Sequence, residues 1–284
     1  MLPLVFLNPS GIHNLFKLRN QELIILIVTI FIFAGFSIFL DKFFSTGNLL
    51  TLMRSVSILG ILSIAMAVVV ISKGIDLSLI ATLAIGTALA SVLSSADVLP
   101  SIDLPFVYAV LLGFLFTAIL CAITGILVAY WDMASVFVTL AMAGVIYGLG
   151  RTLFIGDELN YLPPDAGWLE YLGRGQLLSI PMPIICFLTL AFVMHLVLTK
   201  TTFGKFVYSI GDSGLAARTA GVPVRPILVM IFILAGLVAY FAGLLTAGAI
   251  SSINTRMVSG SMIYDVLLVV VVGGIGLSGG KGGM

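Results

Sequence analysis

A lysine and an aspartate interrupt an otherwise apolar stretch in the first third of the sequence. Lys73 and Asp76 lie three residues apart between two hydrophobic runs. A charge deep in a bilayer costs about 2.5–3.5 kcal/mol on insertion scales, so we expect this segment at the membrane interface or beside a water-filled cavity. In one interpretation a helix is broken here, and Ser72, Asp76 and Ser78 line a path across the membrane. In the other, the segment is an interfacial turn and Asp76 caps a helix that begins at Leu77.

Two further polar positions lie close to the end of the sequence. Asp265 follows Tyr264 and precedes an unbroken apolar run, so it either faces the same path or caps a helix from outside. Asn254 and Arg256 lie in a polar stretch just before it, which would suit hydrogen bonding to a sugar at an external mouth. We therefore count Asn254 and Asp265 among the residues predicted to line the path.

The connection 199–226 is basic and separates two apolar runs. It holds Lys200, Lys205, Arg218 and Arg225. Because lysine and arginine are enriched in the cytoplasmic connections of membrane proteins, this segment is expected to face the cytoplasm. It is either an ordinary basic loop or a surface that receives force from a partner protein.

A short helix is predicted inside this connection. Asp212 or Ser213 is the expected N-cap, Leu215–Arg218 continue the helix, and Gly221 ends it before Pro223. A short helix with small residues and one arginine would fit a groove on a partner. The residues assigned to this contact are Lys205, Gly211, Asp212, Ser213, Leu215, Ala216, Ala217, Arg218 and Gly221.

Composition places the whole chain in the membrane. Hydrophobic residues make up 61% of the sequence and charged residues only 9%, whereas a soluble domain carries roughly a quarter charged residues. The net charge of +1 gives no indication of a nucleic-acid partner. Because no phosphate-binding loop, zinc spacing or nucleophile–base set is present, we expect no catalytic residue, metal site or cofactor in this chain.

The hydrophobic pattern predicts an all-α, polytopic transmembrane helical bundle that forms one domain over residues 1–284. About 20 apolar residues cross a bilayer. The eight candidate spans are 23–40, 52–71, 77–95, 106–131, 135–155, 179–198, 227–249 and 263–278. Span 77–95 is rich in small residues and is alternatively a broken or re-entrant helix. Close helix packing is predicted at Gly113, Gly125, Gly144, Gly148, Gly236 and Gly243.

Eight crossings give a consistent orientation when the N-terminus lies in the cytoplasm. Connection 199–226 is then inside, in agreement with its basic residues. The connection 156–178 is outside, where a delivery protein would dock.

Three stretches in this order resemble the permease subunits of bacterial ABC importers for simple sugars, the ribose, xylose and galactose type. The matching residues are Gly74-Ile75-Asp76-Leu77-Ser78, then Thr201, Phe203, Gly204, Tyr208, Gly211, Ala216, Ala217, Arg218 and Gly221, then Asp265, Gly273, Gly274, Leu277, Gly279 and Gly280. The sequence departs from the family pattern at Lys73, Asp212 and Leu215, where the family usually has Gly, Asn and Glu. The helices expected after the glycine-rich motif are absent, which we interpret as a truncation.

The resemblance implies a subunit of the bacterial cytoplasmic membrane that has no enzymatic activity itself. Its partners would be an ABC ATPase that uses ATP and magnesium, a second identical or homologous permease, and an extracytoplasmic solute-binding protein. The helix Ser213–Gly221 would transmit closure of the ATPase to the spans.

Other solutes and another energy source fit parts of the same pattern. Permeases of this plan for a nucleoside, an autoinducer or a branched-chain amino acid are alternatives, as is an ion-coupled secondary transporter. An ion-coupled transporter would require paired intramembrane carboxylates or a coupling-ion site. The sequence offers only Asp76 and Asp265, both near the ends of spans.

Overall fold

The computed structural model describes residues 20–94, 104–154, 159–255 and 262–276, and most of these residues are helical. The predicted all-α membrane bundle is confirmed. The helices are α1 (Asn20–Phe39), α2 (Thr46–Ile71), α3 (Leu79–Leu93), α4 (Phe106–Tyr130), α5 (Ser135–Leu149), α6 (Gly167–Arg174), α7 (Met182–Lys200), α8 (Thr202–Thr219), α9 (Val224–Ile250) and α10 (Met262–Val272). A π-helical turn, Gly150–Phe154, extends α5.

The described part of the chain contains four short strands that form two antiparallel pairs. They are β1 (Leu159–Tyr161), β2 (Gln176–Leu177), β3 (Ile180–Pro181) and β4 (Ser252–Asn254). Strand β1 pairs with β4, and β2 pairs with β3. The first pair joins the segment after α5 to the segment after α9, two parts of the chain that are far apart in sequence.

The chain forms two compact units, Met1–Leu49 and Leu50–Met284. In the first unit, the ring of Phe43 packs against Phe33 and Phe36, with ring centroids 5.3 and 5.7 Å apart. Most side chains of α1 from Leu23 onward are exposed and apolar. Such a surface is suited to lipid rather than to water.

Within the described residues, five helical segments are long and apolar enough to cross a membrane. They are Thr46–Ile71, Phe106–Tyr130, Ser135–Thr152, Met182–Lys200 and Val224–Ile250. Three shorter apolar helices, Leu23–Phe39, Leu79–Leu93 and Met262–Val272, correspond to the remaining three predicted spans. Each predicted span therefore contains an apolar helix, although three of these helices are shorter than predicted.

Helix α3 is buried along its length. Every residue from Leu79 to Val92 is buried. At 1.5 Å per residue, its 15 residues extend only about 22 Å, but α4, α5 and α9 pack around it. The alternative of a broken helix over 77–95 is wrong for the described part, because α3 is continuous from Leu79 to Leu93.

Glycines allow α3 and α4 to approach α9 closely. A Cβ atom added at Gly243 would lie 2.8 Å from the carbonyl oxygen of Leu83, and closer still to Thr87 Oγ1. Gly236 packs in the same way on Cys121, and Gly113 and Gly125 pack on α9. The packing prediction is confirmed at these four glycines. It is wrong at Gly144 and Gly148, where an added Cβ would have no neighbour within 4 Å.

Helix α10 ends at Val272, six residues before the predicted end of the last span. The Ile275 N–H donates to the Val270 carbonyl at 3.2 Å and the Gly274 N–H to the Val271 carbonyl at 3.1 Å. Gly274 has φ +88°, which is the left-handed conformation of a Schellman C-cap. The apolar run continues in sequence, but the glycine ends the helix.

The basic connection 199–226 contains more helix than predicted. Thr201 Oγ1 accepts a hydrogen bond from Gly204 N at 3.3 Å and starts α8 at Thr202. Helix α8 therefore begins well before the predicted N-cap at Asp212 or Ser213, and the sequence did not predict its first half. Ser213, with φ −154° and ψ 106°, breaks α8 into two halves.

The second half of α8 agrees with the predicted short helix. Ser213 Oγ accepts a hydrogen bond from Ala216 N at 3.2 Å, which confirms Ser213 as its N-cap. Gly221 has φ +84°, and the Val222 N–H donates to the Ala217 carbonyl at 3.0 Å. Gly221 therefore ends this half-helix with a Schellman motif, as the sequence predicts.

We predict that Gly243→Ala destabilises the bundle and that Gly144→Ala does not. The added methyl group at 243 would overlap the backbone of α3, and overpacking costs about 1–3 kcal/mol. The measurement is thermal unfolding of the purified chain in mild detergent. Both variants make the same chemical change, so equal melting temperatures would contradict the packing described for α3 and α9.

We also predict that Gly221→Ala loosens the second half of α8, whereas Gly214→Ala leaves it intact. Both glycines have open space around an added Cβ, but only Gly221 has a positive φ, which costs a residue with a Cβ about 1–2 kcal/mol. Amide hydrogen exchange over residues 214–219 should accelerate about tenfold in Gly221→Ala alone. Unchanged exchange would mean that the Gly221 cap does not hold this half-helix.

Candidate functional site

The turn between α2 and α3 buries Asp76 almost completely. Its side chain is 1% exposed. Asp76 Oδ1 accepts hydrogen bonds from Ser78 N at 2.9 Å and from Ser78 Oγ at 2.5 Å. This local pattern holds the turn that leads into α3, and the helix begins at Leu79 rather than at Leu77. Asp76 therefore forms an Asx turn before the helix, and the prediction that it caps the helix is wrong, because Ser78 occupies the N-cap position. Contact of Asp76 with a solute stays a prediction.

The backbone of this turn is held by α5. The Ile75 N–H donates to Ser135 Oγ and the Leu77 N–H donates to Thr139 Oγ1, both at 3.0 Å. Thr139 Oγ1 also donates to the Ile75 carbonyl at 3.2 Å. Ser135 and Thr139 are not among the site residues predicted from the sequence. Their only sequence cue is a spacing of four residues, which puts two hydroxyl groups on one face of a helix.

Three parts of the chain meet beside this turn, and we call this region the α8 end. Lys73 Nζ donates to the Asp212 carbonyl of α8 at 2.8 Å. Asp132, in the turn between α4 and α5, has its carboxylate oxygens 4.0 Å from Arg218 Nη2 and 3.9 Å from Arg225 Nη2. The α8 end therefore consists of the turns 72–78 and 131–134 and the helix α8.

The other end of the bundle, which we call the strand end, contains β1, β4 and α6. Ser91 Oγ of α3 donates to the Tyr161 carbonyl at 2.7 Å. The Phe106 N–H at the start of α4 donates to Asp165 Oδ2, also at 2.7 Å. Because α3 and α4 have one end at each of these regions, the α8 end and the strand end lie on opposite sides of the bundle.

Two more helices connect the same two regions. In α2, Arg54 Nη2 donates to the Arg174 carbonyl at 3.2 Å, and Lys73 lies at the α8 end. In α9, Arg225 lies at the α8 end, whereas Ser251 Oγ just after the helix donates to Glu170 Oε1 at 2.7 Å. The basic residues among the described parts of Leu50–Met284 are Lys73, Lys200, Lys205, Arg218 and Arg225 toward the α8 end and Arg54, Arg151 and Arg174 toward the strand end.

The second half of α8 presents a small exposed surface. Leu215 is 78% exposed, although leucine is apolar. Among the other residues assigned to a partner contact, the exposed ones are Lys205, Asp212, Ala216, Arg218 and Gly221, and the buried ones are Gly211 and Ala217. Ser213 is partly buried and acts as the N-cap. The assigned set therefore separates into an outward face and residues that hold the helix in place.

The residues predicted to line a membrane path are not all brought together. Ser72 and Ser78 lie with Asp76 at the α8 end, where Ser72 Oγ donates to the Val69 carbonyl at 2.7 Å. Asn254 lies in β4 at the strand end, where its backbone is paired with Leu159. Asp265 is exposed in the first turn of α10, where a carboxylate interacts favourably with the helix dipole.

At the strand end, the connection 156–178 forms a small folded cap over its described residues. Its helix α6 contacts α9 closely, because Gly173 and Gly248 let the two backbones meet. The hydrogen bond from Ser251, supported by Arg174, holds the pKa of Glu170 below its ordinary value. Tyr161, Trp168 and Tyr171 are exposed on this cap. Aromatic side chains with polar tips are typical of interfaces that are partly wet.

The comparisons with known proteins agree with the sequence resemblance. A family model described as a branched-chain amino acid transport system / permease component matches residues 48–280. A ribose import permease of Bacillus subtilis (strain 168) is 34% identical over 246 residues, which cover 87% of this chain and 74% of that protein. No solved structure matches the chain.

Two further relatives are permeases with other named substrates. An L-arabinose ABC transporter permease of Azospirillum brasilense is 32% identical over 267 residues, covering 94% of this chain and 76% of that protein. A galactofuranose transporter permease of Escherichia coli (strain K12) is 30% identical over 236 residues, which cover 83% of this chain and 66% of that protein. The family match over residues 48–280 includes nearly all of α2 and extends through α10, so it contains both the α2–α3 turn and α8. The chain therefore belongs to the family of ABC importer permease components.

Proposed function

We propose that this chain is the membrane subunit of an ATP-driven importer and forms the pathway for a simple sugar. The observation that carries the proposal is the second half of α8, a capped helix at the basic end of the bundle with Leu215 and Arg218 exposed. An ABC ATPase that uses ATP and magnesium would bind this surface. The ribose, arabinose and galactofuranose permeases among the relatives support the choice of substrate.

The two ends of the bundle would then face different compartments of a bacterial cytoplasmic membrane. The α8 end carries more basic residues than the strand end, which favours a cytoplasmic location. The strand end would face outward and receive a sugar-binding protein on the cap formed by β1 and α6. With eight crossings, the N-terminus would be cytoplasmic, and residues 1–284 would act as a single transmembrane domain.

The sugar pathway would lie between this chain and a second, identical or homologous permease. Ser72, Asp76 and Ser78 would act at its inner end by fixing the α2–α3 turn, and Asn254 and Asp265 would contribute from other helices. No residue of this chain would act in catalysis, since ATP hydrolysis belongs to the partner.

A branched-chain amino acid is the second candidate substrate, because the matching family model carries that description. An ion-coupled mechanism is the other alternative. It fits less well, because Asp76 is tied to Ser78 at the α8 end and Asp265 is exposed on another helix. A nucleoside or an autoinducer has no specific observation in its favour.

We predict ATP-dependent uptake of D-ribose by proteoliposomes that contain this chain, its ATPase and its binding protein. Uptake should require ATP and the binding protein, should be insensitive to ion gradients, and should exceed uptake of L-leucine. Preferential leucine uptake would favour the second candidate. Uptake driven by a proton or sodium gradient without ATP would overturn the proposal.

We predict that Leu215→Asp weakens binding of the ATPase subunit by about tenfold, because it places a charge at the centre of an apolar contact. Leu178→Asp is the matched control, since Leu178 is 89% exposed in the connection between β2 and β3. Co-purification of the ATPase with each variant measures the effect. Equal binding to both variants would show that the second half of α8 is not the docking surface.

A further inference from the structure

The carboxylate of Asp132 faces arginines on both sides of the α8–α9 turn. Arg218 lies in the last turn of α8 and Arg225 in the first turn of α9, and their Nη2 atoms lie 4.0 and 3.9 Å from the two oxygens of Asp132. The Arg225 guanidinium also lies 5.5 Å from the ring centroid of Tyr130, within the range of a cation–π contact. One acidic side chain therefore links the turn between α4 and α5 to two helices.

The same turn leads directly into the contacts that hold the α2–α3 turn. Ser135 begins α5 three residues after Asp132, and its Oγ accepts the Ile75 N–H at 3.0 Å. One helical turn further along α5, Thr139 Oγ1 accepts the Leu77 N–H at 3.0 Å. The ion pairs of Asp132, the short chain segment 132–135 and the hydrogen bonds of α5 thus connect α8 to the backbone around Asp76.

A cavity leaves room for movement in this region. It has a volume of about 480 Å³ and lies between α8, the turn 131–134 and the α2–α3 turn. Lys73, Asp132, Ser135 and Arg218 are among the residues that line it. Arg218 in the second half of α8 borders this open volume, so this half-helix has room to move without displacing close-packed side chains.

We propose that Asp132 is a positioning residue that passes a movement of α8 to α5 and to the α2–α3 turn. This proposal rests on the proposed function, in which an ATPase moves α8. Asp132, Arg218 and Arg225 have side chains that are 69%, 54% and 45% exposed. Ion pairs with this exposure are individually weak and are screened by salt, so they can break and re-form during each transport cycle.

The backbone conformation of Asp132 allows its charge to be removed without disturbing the turn. Its φ is +50°, a left-handed conformation that asparagine tolerates well. Asp132→Asn therefore removes the charge and keeps the turn. Asp41→Asn is the matched control, since Asp41 is exposed in the turn after α1 and belongs to the other compact unit.

The decisive measurement is the amount of D-ribose imported per ATP hydrolysed in proteoliposomes with the ATPase and binding protein. In Asp132→Asn we expect this ratio to fall about fivefold, while ATPase binding, basal hydrolysis and melting temperature are preserved. Arg225→Gln should lower the ratio as well, and the double variant should lose no more than Asp132→Asn alone, because both changes remove one link. Asp41→Asn should match wild type.

Two results would overturn the role of Asp132. One is an unchanged ratio in Asp132→Asn, and the other is fully additive losses in the double variant. Failure of the proposed function is distinguishable, because wild type itself would then not import ribose in an ATP-dependent manner. In that case, amide hydrogen exchange of the permease alone still tests the link. If the amide hydrogens of Ile75 and Leu77 exchange equally slowly in wild type and in Asp132→Asn, the link between Asp132 and the α2–α3 turn is contradicted.

Discussion

The break between α2 and α3 depends on hydrogen bonds from α5, and much of the bundle is arranged around them. Within a membrane protein, each backbone group that leaves a helix must find another partner, since an unsatisfied group in hydrocarbon costs several kcal/mol. Ser135 and Thr139 supply these partners to Ile75 and Leu77. Asp76 is satisfied by Ser78 in the same turn. Helix α5 is thereby fixed to the start of α3.

This constraint lets a short helix occupy the centre of the bundle. Helix α3 is too short to span a bilayer unaided, but its two ends are held by polar contacts, at Asp76 on one side and at Ser91 on the other. Between them, small residues on α4 and α9 exclude both lipid and water. Gly243 brings the backbone of α9 against the backbone of α3. Because these two helices meet without side chains between them, the centre of the bundle is rigid.

The periphery of the α8 end has the opposite character. Its ion pairs are exposed and at the outer limit of direct contact, and the second half of α8 borders a cavity, whereas Val207 and Ile210 in the first half are buried in the core. Regions with few buried contacts open at lower free energy than a packed core. A packed centre beside an exposed half-helix supports the proposed function, in which a partner ATPase moves α8.

The sequence by itself determined the membrane class, an apolar helix in each of the eight predicted spans, the Ser213 cap and the Gly221 stop. These features follow from local composition and from φ preferences, which act over a few residues. The tertiary structure decided that the segment 202–212 is helical, that α10 stops at Val272, and that Ser135, Thr139 and Asp132 belong to the same region as Asp76. It also showed that Gly243 packs and Gly144 does not. Such pairings depend on which helix faces come together, and contacts between residues 60 or more positions apart leave no periodic trace in the sequence.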